Sequence, residues 1–116
     1  MPDSCPGAES ATVDDGKLEY LLVLDPGKAK LFNRLGFTTS NSDQLRDILL
    51  TQLPEAPVTG SRANDEGGTS YEVRITVTGS DGTADFRTIW STTSGTTSFV
   101  TAYRWREKKG TTTLRS

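Results

Sequence analysis

Between residues 71 and 78 the chain alternates strictly: Tyr71, Val73, Ile75 and Val77 are apolar, while Glu72, Arg74, Thr76 and Thr78 are polar. Successive side chains of an extended backbone point to opposite faces, so this run is a strand with one dry face and one wet face. Such a strand cannot bury its apolar side alone. It needs partners in a sheet and a layer of other elements over the dry face. Ser80-Asp81-Gly82-Thr83 then reads as a turn, and Phe86, Thr88 and Trp90 repeat the alternation within residues 84–91, which predicts an antiparallel hairpin. Residues 92–97 form a second polar loop before a third strand over 98–106. There Phe99, Thr101, Tyr103 and Trp105 alternate with Val100, Ala102, Arg104 and Arg106, so large residues occupy both faces and two registers compete. Residues 56–62 supply a weaker fourth strand.

Upstream the period changes to that of helices. Asp14 and Asp15 suit the first turn of a short helix carrying Leu18, Leu21 and Leu22 on one face. After a turn at Asp25-Pro26-Gly27, a second helix over 27–37 points Leu31, Phe32 and Leu35 inward. Gly36 takes the left-handed position that ends helices, and Phe37 folds back over the last turn. Residues 38–42 offer N-cap oxygens to a third helix, with Leu45, Ile48, Leu49 and Leu53 on its inner face and Pro54 as its stop. Residues 1–13 mix Pro, Gly, Ser and Thr without apolar period and are expected to be a flexible arm adding little to the core. Residues 107–116 are expected to be a flexible tail, leaving 14–106 as one domain. Two or three N-terminal helices followed by a three- to four-stranded antiparallel meander define an α+β domain, with the helices packed on one face of the sheet.

Composition then narrows the chemistry. The 116 residues include no histidine and a single cysteine, which excludes histidine-based zinc sites, Ser-His-Asp triads and Cys-His dyads within one chain. No metal or cofactor is expected. The net charge is −2, divided unevenly: residues 1–69 carry six Lys and Arg against eleven Asp and Glu, and residues 70–116 carry seven against four. The basic end, with Arg104, Arg106, Lys108, Lys109 and Arg115, suits phosphate neutralisation and equally suits an edge strand kept soluble by charge. No apolar run approaches the roughly 18 residues of a membrane span, and the start has no charged-then-apolar pattern. No membrane contact is expected, and the expected location is cytoplasmic.

If helices cover one side of the sheet, the other side carries Glu72, Arg74, Thr76 and Thr78. In one register of the third strand, with Ile89, Val100 and Ala102 inward, it also carries Thr88, Thr101 and Tyr103. Arg pairs with phosphate oxygens and aromatic rings stack on bases, so this face is a candidate platform for nucleic acid. The plainer account is that Thr favours strands and that antiparallel sheets keep one polar face. Lys28 and Lys30 are the other candidates, because they stand at a helix N-terminus where free backbone N–H groups favour anions. The Walker spacing is absent.

Taken in order, several motifs resemble one family. They are Lys17-Leu18-Glu19-Tyr20-Leu21-Leu22, Gly27-Lys28-Ala29-Lys30 with Phe32, Gly36-Phe37, the 45–53 helix, Tyr71, Asp81-Gly82, Arg87 with Trp90, and Val100-Thr101-Ala102-Tyr103. Together they are similar to a family of small bacterial domains, domain of unknown function 6883. The resemblance spans residues 17–103 and departs after Tyr103, where the family continues with Pro and this chain has Arg104. More distantly, the layout is similar to that of the barnase, colicin and RelE group of small ribonucleases, many of them toxins. That likeness implies a metal-independent ribonuclease acting on RNA phosphodiesters, with RNA as substrate and a cognate antitoxin or immunity protein as partner. Such cleavage needs a group to take the 2′-hydroxyl proton, a cation for the phosphorane charge and an acid for the leaving oxygen. Without histidine, the candidate catalytic set is Lys28, Lys30, Arg87, Thr101 and Tyr103, with lysine acting as an electrostatic stabiliser. Tyr71, Arg74, Trp90 and Arg104 are the candidate substrate-binding residues. The alternative is a non-catalytic protein-interaction module that binds through the exposed sheet face or an edge strand.

Overall fold

The computed structural model describes residues 5–65 and 67–105. Helix α1 (Asp15–Glu19) runs directly into a wide π-helical turn (Tyr20–Leu24), followed by α2 (Pro26–Leu35) and α3 (Ser42–Gln52). Strands β1 (Val58–Ala63), β2 (Thr69–Gly79), β3 (Gly82–Thr93) and β4 (Thr96–Arg104) then form one antiparallel sheet in the order β1-β2-β3-β4. The chain is therefore an α+β domain with its helices first and its meander second. No described helix is long and apolar enough to cross a membrane.

The helix ends follow from local chemistry. Asp25 caps α2 by accepting the N–H groups of Gly27 (3.1 Å) and Lys28 (3.2 Å), and Pro26 occupies the first helical position, where no N–H is needed. At the other end Gly36 has φ 107°, its N–H bonds the Asn33 carbonyl, and the Phe37 N–H returns to the Phe32 carbonyl at 2.9 Å. Two orphan carbonyls are thereby satisfied, and Phe37 is turned into the core. The β3–β4 hairpin turns on Ser94 and Gly95, both with positive φ (53° and 82°), which matches the right-handed twist of the strands. Thr93 pairs directly with Thr96, so the expected polar loop over 92–97 is a two-residue turn within continuous strands.

The dry face of the sheet carries Val73, Ile75 and Val77 from β2, Phe86, Thr88 and Trp90 from β3, and Phe99 and Ala102 from β4, all buried. Phe32 of α2 stacks on Phe86 with ring centroids 4.6 Å apart, and Trp90 meets Phe99 edge-on at 5.2 Å. Leu18, Leu21, Leu45, Leu49 and Leu53 close the helical side. Phe99 and Ala102 are three residues apart yet face the same way because β4 bulges: Trp90 pairs with Phe99, while Ile89 pairs with Thr101, leaving Val100 as the extra residue. The bulge resolves the two competing registers by using each for half the strand.

Two expectations are corrected. Trp90, a candidate substrate-binding residue, is fully buried, and its indole N–H donates to Thr88 Oγ1 at 2.8 Å; Thr88 itself is buried and donates to the Val73 carbonyl at 2.7 Å. Pairing inside the core lets these polar groups lie on the dry face. The stretch expected to add little to the core does the opposite from Cys5 onward: Cys5, Ala8 and Val13 are buried. Thr12 lies beside β4, its N–H donating to Thr97 and its carbonyl accepting from Phe99. Thr97 Oγ1 also donates to the Pro6 carbonyl at 2.6 Å. The segment has no apolar period because it forms an irregular turn and one isolated bridge rather than a helix or strand with a repeating face. The expected tail over 107–116 lies outside the described residues.

Candidate functional site

The wet face is assembled from three adjacent strands. Arg87 of β3 pairs across the ladder with Tyr103 of β4, and Ile89 pairs with both Glu72 of β2 and Thr101 of β4, so these side chains share one face. Arg87 Nε lies 3.2 Å from Glu72 Oε2, and the Thr59 hydroxyl of β1 donates to Glu72 Oε1 at 2.7 Å. The Arg87 guanidinium carbon sits 5.1 Å from the centre of the Tyr103 ring.

Lys28 joins this face from the helical layer. The Asp25 cap fixes the first turn of α2 close to the outer edge of β4, and the Lys28 ammonium donates to Thr101 Oγ1 at 2.6 Å. It lies 4.1 Å from the centre of the Tyr103 ring and 5.4 Å from that of Tyr20. Enclosure by these groups lowers the Lys28 pKa from its ordinary value, because the charged form loses hydration; the Asp25 charge opposes the change. Asp25 is held below the usual carboxylate range, first by the Lys28 backbone N–H and further by the Tyr20 hydroxyl and the charge of Lys28. Tyr20, which donates to Asp25 Oδ2 at 3.1 Å, is raised by that bond and by the carboxylate charge.

Tyr103 stands where three cavities meet. One, of about 560 Å³, opens over the sheet between Arg62 and Tyr71 on one side and Arg87 and Thr101 on the other. A second, of about 580 Å³, runs past Lys28, Glu72 and Arg87 toward Arg104 and Trp105. The third, of about 480 Å³, lies between Tyr20 and Tyr103 above the start of α1. Two cations flank one phenol ring here, with a carboxylate paired to one cation and a hydroxyl to the other. A phosphate seated against Tyr103 meets positive charge from two elements, and the carboxylate is at hand as a proton acceptor.

Of the five candidate catalytic residues, Lys28, Arg87, Thr101 and Tyr103 are brought together. Lys30 is not: it is exposed and two positions further on, which is about 200° round the helix from Lys28. Tyr71 pairs with Trp90 and packs half-buried against the core, touching the open cleft only at its rim, and Arg104 borders the second cavity. Arg74 is committed elsewhere, with Nη2 on Asp85 Oδ2 at 2.6 Å and its guanidinium carbon 4.6 Å from the Trp105 ring centre. Glu72, Tyr20 and Asp25 were not among the candidates. Glu72 announces itself only as a diagonal neighbour of Arg87, which requires the β2–β3 register. Asp25 carried a usable signal, since Asp before Pro at a helix start is an N-cap pattern.

No curated protein and no solved structure matches the chain. The model of the family described as a domain of unknown function (DUF6883) matches residues 4–106, and with nearly its whole length covered the chain belongs to that family.

Proposed function

We propose that the wet sheet face binds RNA and cleaves its phosphodiester bonds without a metal ion. The observation that carries this reading is the convergence of Lys28 and Arg87 on Tyr103, with Glu72 paired to Arg87. Two side-chain cations held by separate elements supply the charge neutralisation that a phosphorane requires.

In this mechanism the Glu72 carboxylate takes the proton of the 2′-hydroxyl, and the 2′-oxygen forms a bond to phosphorus. Arg87 and Lys28 hold the non-bridging oxygens as negative charge accumulates on them. The bond from phosphorus to the 5′-oxygen breaks, and the Tyr103 phenol gives its proton to that leaving oxygen. The products are a 2′,3′-cyclic phosphate and a 5′-hydroxyl, and water resets the two protons. Thr101 holds Lys28 in place.

The test is cleavage of a single-stranded RNA in EDTA. Glu72→Gln and Tyr103→Phe each remove one proton-transfer group and are expected to lower kcat by about 10²–10⁴-fold. Arg87→Ala and Lys28→Ala are expected to cost about 10²–10³-fold. A folded protein that leaves RNA intact contradicts the reading. So does cleavage that all four variants retain. In the second reading, the exposed strands form a protein-docking surface; the uncovered edge of β1, whose residues from Thr59 to Ala63 are all exposed, favours it. A partner retained by the wild type and lost on Arg62→Pro, with no nuclease activity, is the outcome that selects it.

A further inference from the structure

We infer that the cavity between Tyr20 and Tyr103 is a guanine-binding subsite for the nucleotide next to the cleaved phosphate, an inference that rests on the ribonuclease reading above. Four large apolar side chains are exposed among the described residues: Tyr20 at 40%, Val23 at 49%, Leu24 at 61% and Tyr103 at 44%. Three of them, Tyr20, Leu24 and Tyr103, line this one cavity of about 480 Å³. Large apolar groups gathered around one concave site, rather than scattered singly, mark a place that an apolar face covers. Two phenol rings and a leucine side chain offer a flat, sequence-tolerant stacking surface for a base.

The cavity is continuous with the proposed phosphate site, because Lys28, Thr101 and Tyr103 line it as well. A base held there leaves its sugar and phosphate beside Lys28. The Tyr20 wall is held in position. The π-helical turn closes with the Asp25 N–H on the Tyr20 carbonyl at 3.0 Å. In an α-helix residues five apart diverge by about 140°; the wider turn brings Tyr20 and Asp25 to one side, where the phenol bonds the carboxylate. Polar groups on the rim select the base. Asp14 and Lys17 both line the cavity. One Asp14 oxygen is used by the Gly16 N–H at 2.9 Å, and a carboxylate has capacity to accept more. Guanine presents two adjacent donors, N1–H and the N2 amine, to a carboxylate, and an acceptor at O6 to a lysine. Uracil presents a single N–H donor.

Calorimetric titration of the full chain with guanosine 3′-monophosphate and uridine 3′-monophosphate tests this without turnover. Guanosine is expected to bind about tenfold tighter, a difference in the range of one bidentate side-chain contact to a base. Tyr20→Ala is expected to weaken both nucleotides by about tenfold, the range of one stacked base, and Tyr20→Trp to restore them. Tyr20 is exposed, so neither change is expected to unfold the chain, which circular dichroism checks. Asp14→Ser keeps a helix cap but removes the carboxylate, and is expected to bring guanosine down to the affinity of inosine 3′-monophosphate. Equal affinities for the two nucleotides, or affinities that Tyr20→Ala leaves unchanged, overturn the subsite. The two readings fail separately: a guanosine preference with Tyr20-dependent affinity in a chain that leaves RNA intact sinks the nuclease and keeps the subsite. Cleavage indifferent to the neighbouring base does the reverse.

Discussion

Lys28 is the side chain on which the site turns, because it reaches from the helical layer to a hydroxyl on the wet face of the sheet. Its ammonium is kept charged with less water than usual, between Thr101 and the Tyr103 ring. Its pKa therefore lies below the ordinary 10.5, and loss of hydration is the leading cause. If Lys28 acts as a cation, activity falls on the alkaline side as pH rises through this lowered value, earlier than for a free lysine. A pH–rate profile measures this limb, and Lys28→Arg is expected to shift it to higher pH, since guanidinium stays charged throughout. The stability effect has the opposite sign to that of a favourable ion pair. Over the interval between the lowered value and 10.5 the unfolded chain holds the Lys28 proton more tightly than the folded one, so the Lys28 contribution to stability rises with pH there. The raised Cys5 and Tyr20 groups contribute slopes of the opposite sign over the same range, so the Lys28 contribution is read as the difference between denaturant melts of the wild type and of Lys28→Met, which is expected to move in favour of the wild type as pH rises.

The strands and helices owe their placement to signals of different range, and this decides what could be read before the structure. Alternation through Tyr71 to Val77 and the leucine spacing from Leu45 to Leu53 are local, and they specify a strand and a helix. The β4 bulge is not local: Val100 is the extra residue only in relation to Ile89 and Trp90 on β3. That single offset decides which of Thr101 and Ala102 faces Arg87. Trp90 does not depend on the bulge: its alternation with Phe86 and Thr88 and its pairing with Tyr71 place it on the dry face. Lys28, Arg87, Thr101 and Tyr103 were readable as types suited to phosphate chemistry, whereas Glu72 acquires its partner only from the pairing of β2 with β3. The segment from Cys5 to Val13 was unreadable because a short turn and a single bridge at Thr12 leave no repeating pattern in side chains. Its packing has a direct consequence. Burial pushes the Cys5 thiol up to about 11, so the native protein is expected to resist iodoacetamide at pH 8, while the unfolded chain reacts freely. Prompt alkylation of the native state contradicts the packed segment. The turns offer a second check. Gly95 has φ 82° with open space around it, so Gly95→Ala is expected to cost about 1–2 kcal/mol in thermal or denaturant unfolding. Gly36→Ala is expected to cost more, because its Cβ also runs into Ser80 Oγ where α2 meets the β2–β3 turn.

Among the described residues, three cations gather beside Tyr103. The chain carries net −2, yet Lys28, Arg87 and Arg104 all border the cavity that runs past Tyr103. On the proposed reading, binding of single-stranded RNA depends on salt through these cations. Each phosphate neutralised contributes a slope of about −0.7 in log K against log salt, so Lys28 and Arg87 together predict about −1.4 from these two contacts. Arg87→Ala is expected to flatten the slope by about 0.7. An unchanged slope places the phosphates elsewhere.

The most direct test of the catalytic account is the identity of the ends left on a cleaved RNA. Purified full-length protein is incubated with a single-stranded RNA in EDTA, and the fragments are resolved by mass spectrometry, beside the Tyr103→Phe variant. The predicted result is fragments ending in 2′,3′-cyclic phosphate and beginning with 5′-hydroxyl, formed by the wild type and nearly absent with the variant. Intact RNA after incubation with folded protein contradicts the account, as do fragments bearing 5′-phosphate, whose formation requires attack by water instead of the 2′-oxygen.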